Sequence, residues 1–132
     1  MIVVDASVLL PAISEQGEAG QAARDRIGRQ PLMAPELIDC ETASALKGLE
    51  RSGRLPSDLA RLKLRELALL PIERFPHWPF LYRIWELRHN LSVYDASYVA
   101  LAEALRAPLV TADSTIAESS AINCEVELLA VP

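Results

Sequence analysis

Short apolar or β-branched runs alternate along this chain with longer segments of helical periodicity, which restricts it to βα units around a mostly parallel sheet. The runs are Met1–Val4, Leu32–Ala34, Ile72–Phe75, Leu109–Ala112 and Cys124–Leu129. Between them the spacing predicts a helical turn near Ser7–Ile13 and a helix over Glu18–Gly28. A third helix opens on Pro35 as an N1 proline, runs to about Glu50 and ends at Gly53. Ser57 reads as the N-cap of a helix reaching Leu70, with Leu59, Leu62, Glu66/Leu67 and Leu70 at helical spacing, and Pro71 stops it. His77–Arg88 reads as a helix with Leu81, Ile84, Trp85 and Arg88 on one side, and Ser114–Ser119 as a short one. Tyr94–Arg106 is apolar on nearly every face, the pattern of a central buried helix. The last run alternates Val126 and Leu128 with Glu125 and Glu127, as an edge strand with one wet face does.

With 132 residues, 51% of them apolar, the chain is expected to form one domain over residues 1–132 with a sizeable core. Cys40 and Cys124 are too few for a disulfide framework, and no Cys/His cluster suggests zinc. The opening MIVVDASVLL has no basic leader, and no stretch approaches the ~20 apolar residues of a membrane span. A cytoplasmic protein without a membrane partner is the expectation. Thirteen Lys and Arg stand against eighteen Asp and Glu, a net charge of −5 that taken alone points away from RNA and DNA.

The positions of the acids are more informative than their number. The chain has six Asp, and Asp5 and Asp113 close the apolar runs Met-Ile-Val-Val and Leu-Val-Thr-Ala. In a doubly wound sheet ligands bind outside the carboxyl ends of the strands, so both side chains belong at one edge. Asp95 opens the buried helix at that same edge, where it is either an N-cap or a ligand. With Leu37 at zero and about 100° per residue, Glu41 falls near 40°, within the arc of Leu37, Ile38, Ala45, Gly48 and Leu49. Glu36, Asp39 and Glu50 fall opposite, beside Lys47. A carboxylate on an apolar face must be paired, as with an arginine of another helix, bound to a metal ion, or protonated.

Asp5, Glu41, Asp95 and Asp113 thus form a candidate cluster of oxygen donors with no thiolate or obvious imidazole. Such donors suit Mg²⁺ or Mn²⁺, and phosphodiester hydrolysis is the natural chemistry. Crowded carboxylates also repel, so metal binding and pH are expected to be coupled. A phospho-accepting receiver also uses strand-end acids. It wants paired acids after the first strand and a lysine after the last, whereas Ala6-Ser7 follows Asp5 and the only lysines are Lys47 and Lys63.

The segments MIVVDASVLL, ELIDCETASALKGL, LSVYDASYVALAEAL and PLVTADSTIA, in this order and spacing, resemble the PIN-domain ribonucleases, in particular the VapC-type toxins of type II toxin–antitoxin pairs. The resemblance covers essentially the whole chain. It implies a PIN-like three-layer α/β/α fold with a parallel sheet of about five strands. By resemblance, Asp5 and Asp95 are the direct ligands of a first Mg²⁺, and Glu41 and Asp113 complete the site directly or through water. Ser7 and Thr111 match small hydroxyl positions beside those acids, where they hold a carboxylate or water or satisfy nearby backbone groups. The implied activity is Mg²⁺-dependent cleavage of RNA such as tRNA or rRNA, silenced by a VapB-type antitoxin, in a chain that forms homodimers. A further acid found in some relatives would be Glu118, a poorer candidate on a short exposed helix. The alternative is a catalytically silent PIN-like module that binds RNA or protein.

Outside the acids, Arg51, Arg54, Arg61, Lys63 and Arg65 are opposed only by Asp58, a local positive face for RNA or a partner or simply a solvated surface. Arg88 either serves its helix dipole or faces the acids. Leu55, Leu59 and Leu62 are candidates for an antitoxin groove. Trp78, Tyr82 and Trp85 read as packing residues, and His77 and His89 as surface residues near helix ends.

Overall fold

The structure, a computed structural model, describes residues 1–130. Its elements are β1 (Ile2–Val4), α1 (Ala6–Ser14), α2 (Glu18–Ile27), β2 (Leu32–Pro35), α3 (Leu37–Arg51), α4 (Ser57–Leu69), β3 (Ile72–Phe75), a 3₁₀ turn (Trp78–Phe80), α5 (Leu81–Glu86), α6 (Val93–Leu105), β4 (Leu109–Thr111), α7 (Ser114–Ala117) and β5 (Val126–Leu128). The strands form one sheet in the order β3-β2-β1-β4-β5, with all four pairings parallel. Helices cover both faces in a three-layer α/β/α arrangement. The expected fold class is the one observed.

β1 and β4 lie inside the sheet, and every residue of both is buried, as central parallel strands covered on two faces must be. Val3 pairs with Leu109 and Val4 with Val110. Alongside them α6 is buried without a break from Ala96 to Ala102, which accounts for its lack of a polar face. Edge strand β5 departs from the expected alternation. Leu128 is 47% exposed, while Glu127 turns to Arg26 of α2.

Several boundaries shift for local reasons. Asp5 caps α1, so the predicted turn grows into a nine-residue helix that tolerates Pro11. Pro35 ends β2 instead of opening α3. Glu36 donates its N–H to the carbonyl of Phe75, continuing the strand ladder, and α3 begins only at Leu37. The Leu37 N–H donates to His77 Nε2 at 3.3 Å, so His77, expected at the surface, closes a helix forty residues away. Ser57 is the first helical residue of α4 and not its cap; extended Pro56 precedes it, and no side chain caps the helix. Its buried residues are Ala60 and Leu67, whereas Leu59 and Leu62 are exposed. The predicted helix over His77–Arg88 opens as a 3₁₀ turn over Trp78–Phe80, with Pro79 in the first turn where no N–H is needed, and continues directly as α5 to Glu86.

Candidate active site at the strand switch point

Strand order reverses at β1 and β4, which lie side by side although the chain visits β2 and β3 between them. The crevice outside their carboxyl ends is where such a sheet binds ligands. Asp5 emerges from β1 there and is 6% exposed. Its Oδ2 accepts from Thr111 Oγ1 at 2.6 Å and Ser7 Oγ at 3.1 Å, and its Oδ1 accepts the Ser7 N–H at 3.3 Å. Ser7 Oγ in turn accepts the Ala112 N–H at 2.9 Å, and Thr111 Oγ1 the Asp113 N–H at 3.0 Å. Ser7 and Thr111 therefore do both things considered for them: they hold a carboxylate and satisfy backbone at strand ends. Asp113 leaves β4 on the same side, and its Oδ1 accepts the Thr115 N–H at 2.9 Å, opening α7.

Asp95 is not the cap of α6. That place belongs to Ser92, whose Oγ accepts the Asp95 N–H at 3.0 Å, so the Asp95 carboxylate is not consumed in capping. Burial pushes its carboxyl above the usual range, and the charges of Asp113 and Asp5 push it further, against a contact with Ser92.

Glu41 sits on the flank of α3. The fully buried stripe is Ile38, Thr42 and Leu46, and Gly48 is exposed, so the true core face is rotated away from the expected arc and leaves Glu41 half-buried at its border. Its Oε1 accepts the Tyr98 hydroxyl of α6. Burial raises the Glu41 carboxyl, Asp5 and Asp95 raise it further, and the Tyr98 hydrogen bond works against them. The alternative of an arginine partner goes instead to Asp39, whose Oδ2 accepts from Arg74 Nε at 2.7 Å.

The described residues form four ion pairs, Arg26–Glu127, Lys63–Glu66, Arg74–Asp39 and Arg83–Glu103, and none involves Asp5, Glu41, Asp95 or Asp113. Glu41 lies within reach of the charges of Asp5 and Asp95, and Asp95 within reach of those of Asp5 and Asp113, and among the described residues none of the four has a cationic side chain in ion-pair contact. Among the described residues no group of three His, Cys, Asp or Glu is gathered tightly enough to hold an ion as it stands. The donor set is all oxygen and uncompensated, which fits a hard divalent ion.

The basic residues lie elsewhere. Arg51, Arg54 and Arg61 are exposed at the end of α3, in the loop after it and on α4, and make no hydrogen bond or ion pair with the four acids, while Lys63 is taken by Glu66. Arg88 folds back on its own segment, donating to the Trp85 carbonyl at 2.8 Å with its guanidinium 4.5 Å from that ring's centroid. Trp78, Tyr82 and Trp85 are not packing residues: they are 75%, 90% and 62% exposed. Leu55 is buried with Leu46 and Ala60 and leaves the proposed groove. Glu118 is exposed at the end of α7. Sequence reasoning missed Tyr98. The available signal was a phenol one turn after Asp95 in a helix expected to be buried, because a buried hydroxyl must find a partner.

The sequence profile of the PIN domain matches residues 2–120. The chain belongs to the PIN-domain family. It is 43% identical over 129 residues to the VapC ribonuclease Mb0985 of Mycobacterium bovis, covering 98% of each chain. It is 38% identical over 128 residues to ribonuclease VapC1 of Mycobacterium tuberculosis, covering 96% of each. These relatives place it among the VapC ribonucleases of that family. The fold is similar to that of the sarcin–ricin-loop-cleaving toxin VapC20 of Mycobacterium tuberculosis, with a TM-score of 0.69 at 17% identity over 91% of this chain and 95% of that one. A toxin–antitoxin complex from Klebsiella pneumoniae gives a TM-score of 0.64 at 16% identity, over 92% and 93%.

Proposed function

We propose that this VapC-family chain is the toxin of a type II toxin–antitoxin pair and acts as a Mg²⁺-dependent endoribonuclease on structured RNA such as tRNA or rRNA. The observation that carries the proposal is the set of four carboxylates without a cationic partner at the β1/β4 switch point. Asp5 and Asp95 would hold the ion directly, and Glu41 and Asp113 would complete the site. Mg²⁺, or Mn²⁺ in its place, supplies a water of lowered pKa and neutralises charge on the phosphate. The chain's own part is to fix the donors and leave the strand ends open to the RNA backbone. Thr111 and Ser7 hold the Asp5 carboxylate, and the α7 N-terminus holds Asp113. Exposed Arg51, Arg54 and Arg61 are available for RNA phosphates or a partner, and Arg88 would join them on leaving Trp85.

A VapB-type antitoxin is the proposed partner. Supporting it are the VapC relatives and the toxin–antitoxin complex of similar fold, and exposed Leu59 and Leu62 of α4 are the candidate contacts. A homodimer is proposed on the face where Trp78, Leu81, Tyr82, Trp85, Val93 and Tyr94 are exposed. No helix among the described residues is long and apolar enough to cross a membrane.

The test is RNA cleavage by the purified chain with and without Mg²⁺, alongside Asp5→Asn and Asp95→Asn. Cleavage that requires the ion and disappears, with growth inhibition, in both variants is the expected result. Variants as active and toxic as the parent would refute the site. A parent that binds RNA without cutting it would leave the silent module.

A further inference from the structure

Asp5 and Asp113 each have a donor that fixes them: Thr111 and Ser7 for the first, the Thr115 N–H for the second. Both are short side chains rooted at strand ends. Glu41 is different. It is longer by one methylene, and so has one more side-chain torsion to fix, and it arrives from α3, half-buried on a helix flank. The group that restrains it is Tyr98, the largest fully buried side chain of the protein at 0% exposure.

Tyr98 lies one turn after Asp95 on α6, so its ring falls on the same side of the helix as that acid. Its hydroxyl donates to Glu41 Oε1, and the backbone amide of Ala6, directly after Asp5, lies against it. One phenol therefore touches the elements that carry Asp5, Glu41 and Asp95. A phenol is a neutral donor, so it binds one oxygen of Glu41 without cancelling its charge and leaves the other oxygen for the shared site. An arginine at this place would have competed with a cation.

We infer that Tyr98 is a positioning residue: by binding Glu41 Oε1 it aims the Glu41 carboxylate into the acidic site and so sets the affinity of that site for a divalent cation. The inference rests on the metal-dependent reading given above. Outer partners of this kind orient ligands, and removing them typically costs about 10- to 100-fold in metal affinity.

The experiment is Mn²⁺ titration of the full chain, with free Mn²⁺ followed by EPR, for the parent, Tyr98→Phe, Glu41→Gln and the double variant. Melting temperatures without metal are measured beside it. Tyr98→Phe should keep its fold and weaken Mn²⁺ binding about tenfold. In the Glu41→Gln background the same change should have no further effect, because the residue acts through Glu41. Cleavage by Tyr98→Phe should need more Mn²⁺ for half-maximal rate and approach the parental rate at saturation. Parental affinity in a folded Tyr98→Phe, or an equal additional loss in the double variant, would overturn the inference. A parent that binds no Mn²⁺ would instead overturn the metal-site reading.

Should Tyr98→Phe not fold, the parent labelled with 3-fluorotyrosine carries the test by ¹⁹F NMR. It has three tyrosines, and exposed Tyr82 and Tyr94 are assigned by their Phe variants. The remaining Tyr98 signal should shift on addition of Mg²⁺ and fail to shift in Glu41→Gln. A Tyr98 signal indifferent to Mg²⁺ in a parent that binds the ion would refute the role.

Discussion

Glu41 and Asp95 both have carboxyls raised by burial first and by neighbouring acids second, so folding without metal favours their neutral forms. The stability they contribute is complete below the ordinary carboxylate pKa of about 4 and is lost as pH rises through their raised folded values. Glu103 and Glu127 act in the opposite sense. At Glu103 burial pushes upward but the Arg83 guanidinium outweighs it, and Arg26 lowers Glu127, so their contributions are lost as pH falls. Comparison of parent and variant isolates the acidic site. Without divalent ions, Glu41→Gln should melt above the parent at about pH 7.5, and the gap should close toward about pH 4. A variant melting at or below the parent at the higher pH would show that the Glu41 charge carries no penalty. Mn²⁺ should reverse the order, since an ion at a hundred times its Kd stabilises the parent by about 2.7 kcal/mol. A parental melting temperature unmoved by a Mn²⁺ titration would contradict an ion site.

At the scale of elements, α2 meets α1 at Gly20. A Cβ there would lie 1.9 Å from the Glu15 carbonyl oxygen and 2.9 Å from that of Pro11, so backbone and not side chain sets the approach. Gly20→Ala should cost about 1–3 kcal/mol, read as a lower denaturant midpoint. Arg106 ends α6 at φ +52°, a left-handed cap that glycine adopts without strain. Arg106→Gly should raise stability by up to about 1 kcal/mol in the same assay. The elements that sequence periodicity located well are those in which one burial pattern runs unbroken, such as β1, β4 and α6. It misjudged those decided by a distant partner. Pro35 fits the first turn of a helix as well as the end of a strand, and what makes it a strand residue is the pairing of Pro35 with Phe75 on β3. In α4 the leucine spacing is equally helical on either side, and only packing against α3 shows that Ala60 and Leu67 face inward.

For the molecule as a whole, the net charge of −5 is a poor guide to partners, because the acids and the free cations occupy different regions. Four acids share the sheet edge, whereas Arg51, Arg54 and Arg61 stand exposed on α3, its following loop and α4. The exposed aromatic face gives a prediction at this scale. Light scattering on the parent should report a dimer, and Trp85→Asp with Tyr82→Asp should give a monomer that still melts cooperatively. A parent that is monomeric at high concentration would remove that face from consideration.

The sequence by itself determined the parallel α/β class and the two strand-end acids Asp5 and Asp113, because hydrophobic runs and the residues that end them are local along the chain. It also selected Asp95 and Glu41 as candidates, though neither for the whole of the right reason. Only the tertiary structure decided that Ser92 caps α6 and frees Asp95, and that Arg74 takes Asp39 and leaves Glu41 without a cation. Tyr98 as the donor that holds Glu41 belongs with these. The last two depend on which side chains of separate elements meet across the core, which linear spacing does not encode; the first is a choice between two acceptors three residues apart, settled by where α6 starts to pack.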